Sequence, residues 1–113
     1  MSRRIATIGF FDGVHLGHRF LIGQVLDIAQ KNGAESLIVT MYPHPRAIVQ
    51  PGFQPQLLTT LDEKLNLLKK TGISKVEVLQ FDKEMSRLSA RDFMEQILHE
   101  KLGIDCLVMG YDH

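Results

Sequence analysis

Four short apolar runs, separated by three stretches with helical spacing, limit this chain more than any other feature. The runs are Ile5–Phe11, Leu37–Tyr42, Val76–Phe81 and Cys106–Met109. The first, second and fourth are nearly continuous in apolar residues, which suits strands covered on both faces, as in a parallel sheet. The first helical stretch runs from about Leu16 to Lys31, with Leu21, Val25, Ile28 and Ala29 on one face, and stops near Gly33. The second opens with a capping box, Thr60 and Glu63, carries Leu61, Leu65 and Leu68 as its stripe, and ends at Gly72. The third opens at Ser89 with Asp92 in the reciprocal position. It turns Phe93, Ile97 and Leu98 inward and ends at Gly103. The order β-α-β-α-β-α-β, with right-handed crossovers, predicts an α/β fold with an open doubly wound parallel sheet; the strand order expected for it is 3-2-1-4, which alternation by itself does not fix. The closing "LVMGYDH" ends just past the fourth strand with no helix to cover it, so the domain is expected to be truncated after strand four.

Composition narrows the function. A length of 113 residues fits one small domain, and 44% hydrophobic residues suffice for a core. Lys+Arg and Asp+Glu are equal at 13 each. No basic field exists to draw nucleic acid or anionic lipid, so an anionic ligand must be held by local donors. The one cysteine, Cys106 in "CLVMG", excludes an intrachain disulfide. It reads as a buried small hydrophobe and fits a reducing cytoplasm. No run is long enough to span a membrane, and the N-terminus lacks a signal-peptide pattern. The expectation is a cytoplasmic protein with no nucleic-acid or membrane partner. "YPHPRAIVQPGFQPQ", Tyr42–Gln56, contains all four prolines and reads as a functional loop.

The chemistry concentrates in "TIGFFDGVHLGH", Thr7–His18, where an apolar run stops at an Asp-Gly turn and gives way to two histidines. His15 and His18 are three apart, so both imidazoles lie near the first turn of a helix starting around Leu16. That turn carries unpaired N–H groups and partial positive charge, a ready phosphate site. Gly13 permits a tight turn after the strand, and Gly17 lets a ligand approach the backbone closely. Such a site can stabilise the charge that builds up on phosphorus under in-line attack, without a covalent intermediate. Two neighbouring histidines are also often merely exposed. A zinc site needs further ligands, and His44, His99 and His113 lack ligand-like spacing, so no metal site is expected. Gly9, Gly13 and Gly17 do not spell the dinucleotide fingerprint, and no Walker A loop occurs. Met41, Met85, Met94 and Met109 read as packing residues.

"GFFDGVHLGHRFLI", Gly9–Ile22, resembles the signature of the H-x-G-H nucleotidylyltransferases. More narrowly, the chain resembles the adenylyltransferase module of the bacterial FAD synthetases, bifunctional riboflavin kinases/FMN adenylyltransferases. "YPHP" matches that family's Pro-His-Pro segment, "QPQLLTTLDEKLNLLKKTG" its Leu-Thr helix, "FDKEMSRLSARDFMEQIL" the stretch about its third helix, and "VMGYDH" the start of its Gly-x-Asp segment. His113 stands where many relatives carry Phe. The resemblance implies a Rossmann-like nucleotidylyltransferase fold. Residues 1–113 would be the N-terminal part of that domain, with the rest of the domain and the riboflavin kinase module outside this chain.

The resemblance further implies transfer of AMP from ATP to FMN, giving FAD and pyrophosphate, with Mg²⁺ accompanying the nucleotide. His15 and His18 would be catalytic, holding the ATP phosphates. Gly9, Phe10, Phe11, Gly17, Gly110 and Asp112 would bind ATP. Pro43, His44 and Pro45 read equally as a rigid loop start or as a lip over flavin or ATP, and Asp12 as a turn residue or a site residue. The alternatives are another H-x-G-H nucleotidylyltransferase with a different acceptor, a nucleotide-binding module without turnover, and a structural or metal-binding domain. The oligomeric state is not written in the sequence.

Overall fold

In a computed structural model of the chain, residues 3–9, 11, 16–42 and 60–109 are described. The elements are β1 (Arg4–Gly9), α1 (Leu16–Asn32), β2 (Glu35–Tyr42), α2 (Leu61–Lys69), β3 (Lys75–Gln80), α3 (Lys83–Ser86), α4 (Ala90–Asp92) continuing as a π-helix (Phe93–Lys101), and β4 (Cys106–Leu107). The strands form one parallel sheet, as the alternation of elements predicts, in the expected order β3-β2-β1-β4. β1 pairs with β2 from Arg4↔Glu35 to Gly9↔Thr40, and β2 with β3 from Leu37↔Lys75 to Tyr42↔Gln80.

Successive strand residues face opposite sides of a sheet, so each strand feeds two cores. On one side Ile5 and Ile38 pack with Ile22, Val25 and Ala29 of α1 and Leu68 of α2. On the other, Ala6, Leu37, Val39 and Leu79 pack with Leu98 of the π-helix and Ile104. The sheet is therefore wound on both faces: two helices cover one side and the β3–β4 connection covers the other. β2 lies inside both layers, and Ser36 through Thr40 are all buried.

The helix boundaries follow local chemistry. Gly33, Gly72 and Gly103 take φ of 60°, 93° and 68°, where a side chain would be strained, and each ends a helix. At α2 the capping box closes: Thr60 N–H donates to Glu63 Oε1 at 2.9 Å, and Glu63 N–H to Thr60 Oγ1 at 3.1 Å. The hydrogen bond from the Thr60 backbone, then that from its side chain, holds the Glu63 carboxyl below its ordinary value of 4.5. A lowered folded-state value adds stability above the ordinary one, lost as pH falls through the lower one. Thr60→Ala is expected to cost about 1 kcal/mol in thermal unfolding at neutral pH. In acid, the stability gap between the wild type and Glu63→Gln should narrow.

Four expectations need correction. β1 ends at Gly9 rather than Phe11, because Phe11 has φ of 56° and cannot continue a strand. Cys106 is exposed rather than buried, and β4 is only two residues long at the sheet's edge, where one neighbouring strand is lacking. A short helix, α3, precedes the third long one, its start fixed by Asp82 Oδ1 accepting from Met85 N–H at 2.8 Å. The third long helix begins at Ser89 as expected, then widens into π geometry over Phe93–Lys101. At the amino end of the sheet, Arg4 fixes β4 beside β1. Its N–H donates to Asp105 Oδ2 at 2.9 Å, its Nη1 to the Leu102 carbonyl at 2.7 Å, and its guanidinium pairs with Glu35 at 3.3 Å.

Candidate active site at the carboxyl end of β1

The chain leaves β1 toward β2 on one face and reaches β4 from the other. The carboxyl end of β1 is thus the topological switch point, where open α/β sheets bind their ligands. α1, 17 residues long, starts there at Leu16 with no acidic residue in its first turn. Among the described residues, no carboxylate stands against the N–H groups and positive dipole end of that turn.

His18 belongs to this turn and is half-buried. Its ring meets Phe11 edge to face, centroids 4.9 Å apart and planes at 69°. Phe11 is 2% exposed and belongs to the core shared with Ile22 and Val25 of α1. The ring also lies close to Gly9, where an added Cβ would stand 3.1 Å from Phe11 Cε2 and 3.2 Å from Cζ. The last residue of β1, the left-handed Phe11 and the first turn of α1 therefore form one packed series. Gly17 lies in the same helical turn. His15, Phe10, Asp12, Pro43, His44, Pro45, Gly110 and Asp112 lie outside the described residues.

The opposite face holds a feature the sequence reading missed. A groove of about 420 Å³ opens there, with Ile8 and Met41 at the ends of β1 and β2, Phe93 and Met94 on the π-helix, and Met109 after β4. Met94 and Met109 are 45% and 63% exposed and line this groove without joining either core, whereas Met41 and Met85 pack against one. Their spacing in sequence gives no helical or strand period, and only the sheet order brings them together. Among the described residues, no three His, Cys, Asp or Glu side chains gather closely enough to hold a metal ion, and no helix is long and apolar enough to cross a membrane.

The four-stranded sheet, the two-sided helices and a ligand end at β1 define the class: a Rossmann-like, doubly wound α/β protein. The model of the FAD synthetase family matches residues 1–113, and the chain belongs to that family. It is 31% identical over 112 residues to the bifunctional riboflavin kinase/FMN adenylyltransferase of Bacillus subtilis, covering 98% of this chain and 35% of that protein. To the same-named proteins of Listeria monocytogenes and Escherichia coli it is 33% and 32% identical, covering 97% and 96% of this chain and 35% and 34% of those proteins. The chain thus spans about a third of the length of the curated relatives it matches. Among solved structures, a macrolide-efflux protein from Streptococcus pneumoniae has the same fold, with a TM-score of 0.84 at 24% identity over 99% of this chain and 37% of that one.

Proposed function

We propose that this chain forms the FMN adenylyltransferase module of a FAD synthetase. An FMN phosphate oxygen attacks the α-phosphorus of ATP, the bond from that phosphorus to the bridging oxygen breaks, and pyrophosphate leaves with FAD as product. The observation that carries this reading is the placement of His18 in the first turn of α1, at the switch point beyond β1. Charge gathers on the oxygens about the α-phosphorus, and preorganised donors at that place lower the barrier. The α1 amides and the His18 ring are such donors, and the H-x-G-H motif adds His15 and the close approach at Gly17.

Gly9, Phe10, Phe11, Gly110 and Asp112 complete the nucleotide side in this reading, and Pro43, His44 and Pro45 its lip. Because the Phe11 ring is buried, that residue meets the nucleotide through its backbone. Mg²⁺ enters with ATP, whose phosphates are its ligands. The described residues put no carboxylate in the first turn of α1, so the part read for this chain is to hold phosphate charge. By the same reading the intact protein also carries a riboflavin kinase, as the relatives' names suggest, and acts in the cytoplasm, where ATP is available.

The flavin ring is placed in the groove beside the π-helix. A flat, largely apolar tricycle suits apolar walls of this volume, and thioethers pack well against aromatic rings. Incubating the full-length protein with ATP and FMN should release FAD and pyrophosphate. Pantetheine phosphate, nicotinate mononucleotide or glycerol phosphate should give no pyrophosphate, and turnover of one of them in place of FMN would contradict the reading. Met94→Asp would set a carboxylate against the ring. It should raise KM for FMN about tenfold, the equivalent of about 1.4 kcal/mol, while KM for ATP stays within about twofold. Steady-state kinetics with each substrate varied in turn makes the comparison.

A further inference from the structure

We infer that Phe11 is a positioning residue for His18, passing the fixed geometry of β1 to the imidazole. This deepens the reading above and rests on it. Phe11 is the one non-glycine residue with positive φ among the described residues, at 56°. A bulky side chain holds such a backbone only where its surroundings dictate it, and such outliers gather at functional sites. Here the surroundings are explicit. The ring is 2% exposed, anchored in the core with Ile22 and Val25. It lies over Gly9, which is held by its ladder pairing with Thr40 and has no Cβ to displace it. It also meets the His18 ring, at 4.9 Å and 69°, an arrangement aromatic pairs favour over stacking face to face. A ring held by the core and beside Gly9 gives the imidazole a fixed neighbour, so the imidazole meets phosphate in one orientation. Small errors in such placement are costly to rate.

The test is a double-mutant cycle in the full-length protein, read as kcat and KM for FAD formation. Phe11→Leu keeps the site apolar but removes the flat ring. It should lower kcat about tenfold and shift KM for ATP by less than about threefold. Added to His18→Ala, the same change should lower kcat by less than about twofold, because the group it positions is gone. A residue that only stabilises the fold would give losses that multiply, and that result, or wild-type kcat in Phe11→Leu, overturns the proposal. Gly9→Ala supplies a second cycle should Phe11→Leu fail to fold. It keeps the phenyl side chain but forces the ring to shift by a few tenths of an ångström, and the same pattern is expected. The His18 ring proton resonances give a readout independent of activity. They should move in both Phe11→Leu and Gly9→Ala, and unmoved resonances contradict the inference. If His18→Ala itself leaves FAD formation unchanged, the reading of the site fails. The ring resonances then still judge whether Phe11 sets the imidazole.

Discussion

His18→Ala in the full-length protein is expected to lower kcat for FAD formation by about 10²–10³-fold while leaving the fold intact, the range found when one preorganised donor is removed. The expectation follows from where the side chain stands. His18 is half-buried in the first turn of α1, above a core whose nearest α1 member, Ile22, is one turn further along. Truncating it removes a donor from the phosphate end and little from the hydrophobic layer. The thermal midpoint should therefore change little. KM for ATP should rise less than kcat falls, because the interaction is strongest once charge has built up in the transition state. Quenched-flow or steady-state assays, paired with circular dichroism, give both numbers. Near-normal turnover with an unchanged fold would remove His18 from the chemistry.

Leu37→Ala is expected to have the largest effect on stability, about 2–5 kcal/mol. Leu37 is fully buried in β2, between β1 and β3, and it packs in the layer that contains Leu98 and Ile104. Neither neighbouring strand can collapse into the space without breaking its ladder, which favours the upper part of that range. Small domains have only about 5–15 kcal/mol in total, so the thermal midpoint should fall by roughly 10 °C or more. Below the new midpoint KM for ATP should be unchanged, since Leu37 faces the layer opposite α1. A loss under about 1 kcal/mol would mean that β2 is not the central strand described here.

Much of this architecture could be read from the residues, because it rests on local rules. The apolar runs marked all four strands, and their alternation with helices pointed to a parallel, doubly wound sheet, whose observed order β3-β2-β1-β4 is the one expected although alternation alone does not fix it. Thr60 with Glu63, and the glycines after each helix, are signals of backbone chemistry that tertiary packing rarely overrides. The features that escaped depend on packing between distant segments. No residue pattern announces the π geometry of Phe93–Lys101. Lys64 is 3% exposed although it is charged. It lies three residues after Leu61 and four before Leu68, on the same helical face, and the stripe of leucines drew attention away from it. Asp82, followed by the short α3, was a legible cap that periodicity alone passed over.

The site shows the same division. The phosphate-binding role proposed for the βα junction could be read from the motif itself, because a glycine turn followed by a helix start is local. The contact between Phe11 and His18 is not, since it needs a left-handed backbone that no simple rule assigns to phenylalanine. The groove is formed by Met41, Phe93, Met94 and Met109, which come from three parts of the chain and share no spacing.

A crystal structure of the full-length protein with FMN and a non-hydrolysable ATP analogue tests the central claim most directly. The account predicts the polyphosphate at the first turn of α1, within hydrogen-bonding distance of its amides and of the His18 ring, with Phe11 still edge-on to that ring. Polyphosphate bound away from this turn, or an imidazole rotated off the phosphates into the core, would contradict it.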